Sequence, residues 1–557
     1  MRLTALVLLP FAFALGAKAE ICPRPSVGSE VTAPHEIRSQ NGVLRVSLSF
    51  RRSLEPTGEV RYCYIDEQGN ESPTLEVKPG DLLILRLKND LPGISKPMLP
   101  GSHAAAPLCI SGPMSAAATN LHFHGLMIPS TCHQDDVIRT SISPGAKYFE
   151  YRFRIPPSQP PGLYWYHPHP HSRSEEQVLG GASGALIVEG IEHFNSLVAG
   201  LPERLLIIRD QVRLSSKTPP VGPKPPSKDL SVNFIPVPYP QYPPAIVNTK
   251  PGQRELWRVL NASADTFLEL HLLTNGKWQS MGLVSLDGVP LGYEENSVEE
   301  KNRIQWTLDI PIPPGGRAEF LYDSPPEGGR TQLLTARVDT APFLDEDDPA
   351  MASQAAGSAQ IPDDDDYTPP RWLLTVSATS DAAEPTAVIP KDFSPQKKTN
   401  IAPLKNIQPN RTRKLYFSEK ILDAKNPRTS TAFYVTEEGH QPAVFDPAAG
   451  PNITVRQGEV EDWVIENRSQ ESHTFHIHQT HFVLLERDNK SVDENYLRDT
   501  VDVPYWDGVS SYPSVKLRID FRDPATVGAF PYHCHILQHE DGGMMGTIRV
   551  LKASQKN

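Results

Sequence analysis

Ten of the chain's 18 histidines fall into four tight groups, and residues of this type at this spacing are candidates for metal binding. The groups are His122-Phe123-His124, His167-Pro168-His169, His473-Thr474-Phe475-His476-Ile477-His478, and His533-Cys534-His535 with His539 downstream. A lone His-x-His pair is often a wet strand face. Four such pairs in two distant regions, one of them enclosing a cysteine, are typical of a metal centre.

The period of a β-strand sorts these side chains by direction. Side chains at positions i and i+2 share a face, so each His-x-His pair points both imidazoles the same way. Eight converging imidazoles are more than one zinc ion needs, because zinc takes four ligands. Three metal ions with two or three imidazoles each would use the whole set: His122, His124, His167, His169, His476, His478, His533 and His535.

The opposite parity predicts a second, different site. Cys534 lies between the two histidines of its pair and therefore faces away from them, and His473 is at an odd offset from His476. Together with His539 they make the two-histidine, one-cysteine set that holds a blue, electron-transferring copper ion. Met544 is the natural weak axial ligand of that ion.

Short β-type runs separated by turns must position these residues, since long helical periodicity is scarce. Residues 44–50 alternate between apolar and polar with a period of two, which predicts a half-buried strand. A Gly-containing turn before a strand recurs once in each of three blocks, at 78–81, 250–253 and 456–459. This recurrence suggests three copies of one domain.

We therefore predict an all-β protein with three domains, at residues 20–195, 196–375 and 376–557. Residues 345–370 contain two runs of acidic side chains and end in Pro369-Pro370, so we interpret them as a solvated linker rather than a metal site.

The beginning of the chain has the features of an export signal. Arg2 supplies a positive charge, residues 3–16 are mostly apolar, and Ala17-Lys18-Ala19 is a small-x-small cleavage site. The apolar run is shorter than the roughly 20 residues of a membrane span, and no other stretch approaches that length. We expect a protein exported to the periplasm or the cell exterior, without a membrane span. Its formal charge of −12 argues against nucleic acid as a partner.

These motifs resemble those of the multicopper oxidases, the superfamily of laccases, ascorbate oxidases and bilirubin oxidases. The run at 533–544 (His-Cys-His-Ile-Leu-Gln-His-Glu-Asp-Gly-Gly-Met) is highly specific, the four motifs have the family's order, and 254–262 is similar to the family's second domain. The resemblance spans most of residues 40–552. It implies three cupredoxin-like Greek-key β-sandwich domains, with a copper cluster between the first and the third.

The resemblance also implies four copper ions and assigns their ligands. The type 1 copper would take His473, Cys534, His539 and Met544; the type 2 copper His122 and His476; one type 3 copper His124, His167 and His535; and its partner His169, His478 and His533. A register that uses His171 stays an alternative, because it continues the alternation His-Pro-His-Pro-His. The family's ligands directly follow Trp-Tyr, which favours His167 and His169.

The implied activity is the oxidation of a small-molecule or metal-ion donor by O₂. Electrons would pass singly from the donor to the type 1 copper and through Cys534 and its neighbours to the cluster, where O₂ is reduced to water. A laccase-type donor, a phenol or an aromatic amine, is favoured, and a metallo-oxidase acting on Fe(II), Mn(II) or Cu(I) is the alternative. Eight methionines without a methionine-rich run argue against Cu(I).

Two other classes explain the histidines less well. A copper-binding or electron-transfer module without oxygen chemistry does not account for the matched parity of the four pairs. A copper nitrite reductase needs only three histidines at its catalytic copper.

Reduction of O₂ to water consumes four protons. In addition to Cys534, which carries electrons, we therefore expect a carboxylate near the cluster that carries protons. Asp135 and Glu540 match acidic positions of the family, and Asp136 is a rival to Asp135.

With Cys534 assigned to copper, the four other cysteines are expected to form two disulfides. Four cysteines allow three connectivities, of which we favour Cys22–Cys63 with Cys109–Cys132.

Overall fold

The structure is a computed structural model that describes residues 21–55, 58–92, 109, 114–145, 147–212, 226–239, 242–294, 303–342, 367–383, 387–388, 403–423, 425, 430–494 and 496–553. The predicted export signal at 1–19 and most of the predicted acidic linker lie outside the described residues. The end of that linker is described, and Tyr367–Thr368 pairs there with Val338–Asp339 as a short ribbon.

The first part of the chain forms two packed sheets. The strands are β1 (Glu36–Arg38), β2 (Val43–Leu54), β3 (Val60–Asp66), β4 (Thr74–Val77), β5 (Leu82–Asn89), β6 (His122–His124), β7 (Phe149–Arg154), β8 (Gly162–His167) and β9 (Gly184–Val188). Their orders are β1-β4-β9-β8-β6 and β3-β2-β5-β7. The alternating residues of β2 predicted from sequence pack, from Leu44 to Phe50, in one apolar core with side chains of both sheets.

The middle part is a second sandwich. Its strands are β10 (Pro202–Val212), β11 (Lys228–Val232), β12 (Ile235–Val237), β13 (Ala245–Thr249), β14 (Arg254–Asn261), β15 (Leu268–Thr274), β16 (Lys277–Gln279), β17 (Met281–Leu286), β18 (Val289–Pro290), β19 (Gln305–Thr307), β20 (Ile310–Ile312), β21 (Arg317–Asp323), β22 (Arg330–Thr335), β23 (Val338–Asp339), β24 (Tyr367–Thr368), β25 (Arg371–Ala378) and β26 (Ala387–Val388). One sheet has the order β12-β11-β10-β14-β21-β17-β18 and the other β13-β25-β22-β15-β16. Their facing side chains, such as Trp257 and Leu270, share one core.

The last part is a third sandwich. Its strands are β27 (Arg411–Ile421), β28 (Thr431–Glu437), β29 (Ile453–Arg456), β30 (Val460–Asn467), β31 (His473–Ile477), β32 (Phe482–Arg487), β33 (Lys490–Ser491), β34 (Leu497–Arg498), β35 (Thr500–Val503), β36 (Ser514–Asp520), β37 (Gly528–Cys534) and β38 (Met545–Leu551). The two sheets run β28-β27-β30-β36-β32-β33 and β29-β38-β37-β31-β35. Cys534 and Met544 belong to the core between them.

The three sandwiches repeat one connection, as the recurring turn predicted. Each turn joins a strand of one sheet to a strand of the other, β4 to β5, β13 to β14 and β29 to β30. In every case the second strand lies parallel to the first long strand of its sandwich, β2, β10 or β27. The turn glycines Gly80, Gly252 and Gly458 have φ of 92°, 65° and 100°, a conformation that disfavours side chains.

Helices are short. Helix α1 (Ser174–Leu179) and helix α2 (Leu537–Asp541) contact each other across the first and third sandwiches, and 3₁₀ turns occur at Ile191–His193, Ser196–Val198, Leu404–Asn406 and Pro524–Thr526. None of the helices in the described ranges is long and apolar enough to cross a bilayer.

The disulfide prediction is confirmed. Cys22 is bonded to Cys63 and Cys109 to Cys132, while Cys534 is free and buried. The all-β prediction and the three-sandwich architecture are confirmed as well, whereas the boundaries at 195 and 375 stay predictions.

Candidate metal centre

Two pairs of antiparallel strands bring the histidine groups together. In the first sandwich β6 lies beside β8, with His122 opposite His167. In the third sandwich β31 lies beside β37, with His476 opposite His533. The two pairs of strands bring their histidines together, as the stacked rings of His124 and His476 show, with centroids 3.9 Å apart.

Eight imidazoles line one buried cavity between the first and third sandwiches. Each is at most 2% exposed, and their nitrogens form three groups whose ligand atoms lie within 4.8 Å of one another. The groups are His122, His124 and His476; His124, His167 and His535; and His169, His478 and His533.

The electrostatics of this cavity keep seven of its imidazoles neutral. Burial lowers the pKa of His533 to about 3. Burial, reinforced by neighbouring imidazoles, also lowers the pKa of other members well below the ordinary value: His124, His167, His169, His476, His478 and His535. A neutral imidazole has a free lone pair, which is the form that binds a metal ion.

Hydrogen bonds outside the cavity fix which nitrogen of each ring points inward. The Nδ1 atoms of His122, His167 and His476 donate to the Asp135 carboxylate (2.9 Å), the Pro168 carbonyl (3.0 Å) and the Asp499 carbonyl (2.8 Å). The Nε2 atoms of these three rings are buried and have no hydrogen-bond partner. Orphaned acceptors of this kind are costly unless something fills the space, so the residues fit a set of resident metal ions.

The His124 ring has the opposite orientation, with its Nδ1 rather than its Nε2 turned inward. Its Nε2 donates to the Asp499 carboxylate (3.0 Å), and its Nδ1 is the buried atom without a partner. Burial raises the pKa of Asp499 to about 7, although Arg317 beside it acts to lower that pKa. The sequence alone does not indicate Asp499 or Arg317, because neither belongs to a histidine motif and both lie far from His124 along the chain.

The second group is compact and lies within the third sandwich. The Cys534 sulfur is 3.7 Å from the Nδ1 atoms of both His473 and His539, which are 3.0 Å from each other. All three side chains are buried. Met544 is fully buried in the same apolar core, and its backbone carbonyl accepts a hydrogen bond from the Cys534 amide (3.1 Å).

Both histidines of this group are oriented from outside. Nε2 of His473 lies 2.6 Å from the Ser469 hydroxyl, and Nε2 of His539 donates to the Glu471 carboxylate (3.0 Å). Each ring therefore turns its Nδ1 toward Cys534. The sequence alone does not indicate Glu471 either, because it lies outside the histidine motifs. Its side chain is 31% exposed, so the His539 edge is the point where this group approaches solvent.

The structure places the two candidate acids against the cavity. The Asp135 carboxylate accepts hydrogen bonds from His122 and from the Phe123 amide (2.9 Å) and is buried. Its rival Asp136 instead pairs with Arg139 at 2.7 Å. Asp135 is therefore the acid that contacts the cavity.

Glu540 lies behind a different pair of rings. Its two carboxylate oxygens are 3.4 Å from His169 Nδ1 and 3.3 Å from His533 Nδ1, and the Ser174 hydroxyl donates to it at 3.0 Å. Burial, with Asp541 adding like charge, raises its pKa well above the ordinary value. His171, the alternative to the register of His167 and His169, lies outside the cavity groups and packs edge-on against Phe445.

Sequence comparison finds multicopper oxidases among the relatives of this chain. Family models described as "Multicopper oxidase" match residues 114–193 and 418–554, which hold all four histidine groups. The chain is 27% identical to a multicopper oxidase of Staphylococcus aureus over 86% of its own length and 82% of that protein. It is 24% identical to an iron transport multicopper oxidase of Gibberella zeae, covering 86% and 71%, and 22% identical to a laccase of Bacillus subtilis, covering 85% and 87%.

Structural comparison agrees on the fold. The chain superposes on a multicopper oxidase of Campylobacter jejuni, titled a metallo-oxidase, with a TM-score of 0.63. The superposition covers 95% of this chain and 96% of the other at 21% identity. This likeness confirms the predicted cupredoxin-type architecture.

Proposed function

This chain belongs to the multicopper oxidase superfamily of copper-dependent oxidoreductases that use O₂, and we propose that it is a laccase-type member that oxidises phenols or aromatic amines. The observation that carries the proposal is the coexistence of two donor sets joined by one backbone segment. Cys534 faces the two-histidine set, while its covalent neighbours His533 and His535 face the eight-imidazole cavity.

Copper ions bound in these sets, four in all, would supply single-electron transfer from the donor and four-electron reduction of O₂ to two waters. The ligands we propose are His473, Cys534, His539 and Met544 for type 1; His122 and His476 for type 2; and His124, His167 and His535, with His169, His478 and His533, for the type 3 pair. The protein's part is to hold the rings, exclude water and deliver protons.

The proton-delivering groups that we propose are Asp135 and Glu540. Each is buried, and each has a carboxylate oxygen within 3.4 Å of the outer nitrogen of a cavity histidine. A carboxylate in this position can relay protons from water toward the cavity.

The donor would meet the protein at the edge of His539. Glu471 there is a partly exposed acceptor for the phenolic proton that is lost on oxidation. The loop after β35 lies alongside, since the amides of Tyr505 and Trp506 donate to Ser472 Oγ (3.1 Å) and to the Ser469 carbonyl (2.9 Å). Trp506 packs on Tyr512 in this loop, and Val509 is 85% exposed. An apolar, aromatic rim suits an aromatic donor better than a hydrated cation.

A metallo-oxidase is the second candidate, and the same carboxylate is the observation that favours it. The Glu471 carboxylate, which is hydrogen-bonded to His539, is also of a type that binds Fe(II) or Mn(II). One relative is named an iron transport multicopper oxidase, and the Campylobacter jejuni protein is named a metallo-oxidase.

A donor screen on copper-loaded protein separates the two. We expect copper-dependent O₂ uptake with a higher kcat/KM for phenols than for Fe(II), Mn(II) or Cu(I). Glu471→Gln should then lower kcat/KM for phenols by roughly tenfold, through loss of the proton acceptor. A larger loss for Fe(II), expressed mainly in KM, together with a higher wild-type kcat/KM for Fe(II), would establish the metallo-oxidase instead. Glu438, a carboxylate on the same sandwich that pairs with Arg468 and Lys414, provides the control variant Glu438→Gln.

We also propose that the protein is exported. Two disulfides in the first sandwich support this, because such bonds persist in oxidising compartments. Fractionation of cells that express the full chain, with N-terminal sequencing of the mature protein, tests both the location and the predicted cleavage after Ala19.

A further inference from the structure

One buried arginine contacts all three sandwiches at the rim of the histidine cavity. Arg317 begins β21 of the middle sandwich and has no exposed side-chain surface. Its Nε donates to the Leu163 carbonyl in β8 of the first sandwich (3.3 Å). Its two terminal nitrogens donate to the two carboxylate oxygens of Asp499 in the third sandwich (2.7 and 2.6 Å).

The remaining N–H groups of Arg317 are also satisfied. They donate to the carbonyls of Gly315 (3.1 Å) and Asp287 (2.8 Å), so all five side-chain donors have acceptors. A planar guanidinium with two parallel bonds to a carboxylate has little freedom to rotate. Arg317 therefore fixes the Asp499 carboxylate in one orientation.

Asp499 passes this orientation on to two different cavity histidines. Its carboxylate accepts the Nε2 proton of His124 (3.0 Å), and its backbone carbonyl accepts the Nδ1 proton of His476 (2.8 Å). The Asp499 amide is held in turn by the Asp287 carboxylate (3.1 Å), which also binds the amide and hydroxyl of Thr500. Asp287 is thus a second brace from the middle sandwich.

The backbone after His124 packs so closely against Arg317 and Asp499 that it leaves no room for a side chain at position 125. Gly125, directly after His124, has a φ of +83°, and a Cβ there would lie 2.5 Å from Arg317 Nη2 and 2.6 Å from Asp499 Oδ2. Removal of the guanidinium would leave the Asp499 carboxylate buried without its cation, which favours rotation or protonation of that group. The inward orientation of His124 Nδ1 would then lose its support.

We propose that Arg317, braced with Asp287, is a positioning residue for the metal cavity, so that the middle sandwich is part of the copper site although none of its described residues is among the proposed ligands. The inference rests on the proposed function in that the cavity histidines hold copper. Arg317 does not touch the reacting atoms. It acts through Asp499 on His124 and His476.

The test compares Arg317→Met with a matched control from the same sheet. Arg258 on the neighbouring strand β14 is also buried, and its ion pairs are with Glu203 and Glu319, neither of which is paired with a cavity histidine. Copper per chain is measured by mass spectrometry, type 1 copper by its blue absorption, type 2 copper by electron paramagnetic resonance, and folding by the Tm of each copper-free protein.

We expect Arg317→Met to keep the blue absorption and to lose about one or two of four coppers per chain, with a weakened type 2 signal. Arg258→Met should lower Tm comparably and keep all four. Arg317→Lys, which retains the charge but not the fork, should bind more cluster copper than Arg317→Met. If Arg317→Met does not fold, Arg317→Lys and Asp287→Asn carry the test, each with an expected 10- to 100-fold weaker affinity for cluster copper in chelator competition.

Full copper content with an unchanged type 2 signal in the Arg317 variants would overturn the proposal. A copper loss in Arg258→Met equal to that in Arg317→Met at matched Tm would overturn it too, since the effect would then be general destabilisation. Failure of the proposed function looks different, because wild-type protein would then lack cluster copper or O₂ uptake.

Discussion

The two candidate metal sites of this protein are built in opposite ways. The Cys534 group takes its side chains from one sandwich and packs them into that sandwich's own core. The eight-histidine cavity takes its rings from two sandwiches, and its bracing group Arg317 from the third. One site is therefore a local property of one sandwich, and the other depends on how three sandwiches are assembled.

The two sites also differ in their access to solvent. The cavity rings are almost completely buried, and their outer nitrogens are bonded to buried groups such as Asp135 and Asp499. The Cys534 group reaches the surface through one ring, because His539 is bonded to the partly exposed Glu471. This difference suits a division of work in which a donor is oxidised at the edge and O₂ is reduced where side reactions with water and donor are excluded.

The largest expected effect comes from replacing Cys534, whose side chain belongs to the local site and whose backbone neighbours His533 and His535 belong to the cavity. Cys534→Ser removes the thiolate of the local site but keeps the backbone that carries His533 and His535. We expect loss of the blue absorption and of steady-state oxidation, with about three of four coppers retained. Absorption spectra, copper analysis and O₂ uptake measure the three quantities. A variant that stays blue would remove Cys534 from the type 1 site.

Much of this comparison follows from the sequence, because strand parity is a local rule. Alternation separated Cys534 from His533 and His535, and the structure indeed places Cys534 against His473 and His539 while the paired histidines face the cavity. The turns at Gly80, Gly252 and Gly458 similarly indicated a repeated sandwich. The ligand set itself stays a prediction until copper has been bound and counted.

The supporting groups could not be predicted in this way. Asp499 and Arg317 reach the cavity only through the packing of distant segments, 375 residues from His124 to Asp499 and 182 from Arg317 to Asp499. Glu471 lies two residues before His473, yet it contacts His539 instead. A single sequence shows which side chains share a strand face, but it does not show which distant carboxylate completes a hydrogen bond.

The next largest effect is expected from replacing Asp135 and Glu540, the two acids proposed to deliver protons to the cavity. Asp135→Asn and Glu540→Gln should keep the blue absorption, because neither side chain belongs to the Cys534 group. They should also keep the copper content, because the amide oxygen of Asn or Gln can still accept a hydrogen bond from the His122 or His169 ring. We expect reoxidation of the reduced protein by O₂ to slow by roughly 10- to 100-fold, since an amide cannot relay a proton as a carboxylic acid does. Stopped-flow absorption after mixing with O₂ measures the rate.

Asp136→Asn is the matched control for this experiment. Asp136 is the immediate neighbour of Asp135 and is equally buried, but it pairs with Arg139 rather than with His122. Its reoxidation rate should stay within about twofold of wild type. Equal slowing in Asp135→Asn and Asp136→Asn would argue for a general charge effect, and wild-type rates in all three variants would exclude these acids from the mechanism.

A smaller effect is expected from the disulfide next to the cavity. Cys109–Cys132 closes a loop with a sequence separation of 23 that contains the strand of His122 and His124. Replacing both cysteines by alanine should lower the free energy of unfolding by about 3 kcal/mol, because the unfolded chain regains loop entropy. Copper should be lost from the cavity before the blue absorption fades during denaturant titration.

The other disulfide supplies the control, since Cys22–Cys63 spans 41 positions and its loop contains none of the eight cavity histidines. Its double alanine variant should lose about 4 kcal/mol without that preferential loss of cavity copper. If the two variants release cavity copper and blue copper in the same order and over the same range of denaturant, assembly of the first sandwich does not control the cavity separately.

The smallest effect is expected at the Ser469 hydroxyl, within the local site. His473 Nε2 lies 2.6 Å from this hydroxyl, which in turn lies 2.7 Å from Asn467 Oδ1, so the chain of hydrogen bonds sets the His473 ring. Ser469→Ala removes that support without removing a ligand, and the fold-wide cost should be only about 1 kcal/mol. We expect a shifted but still present blue absorption, full copper content and an unchanged rate of reoxidation by O₂. Reduced copper content or slowed reoxidation would show that the Cys534 group and the cavity are coupled through more than the Cys534 backbone, and the contrast between a local and an assembled site would then have to be abandoned.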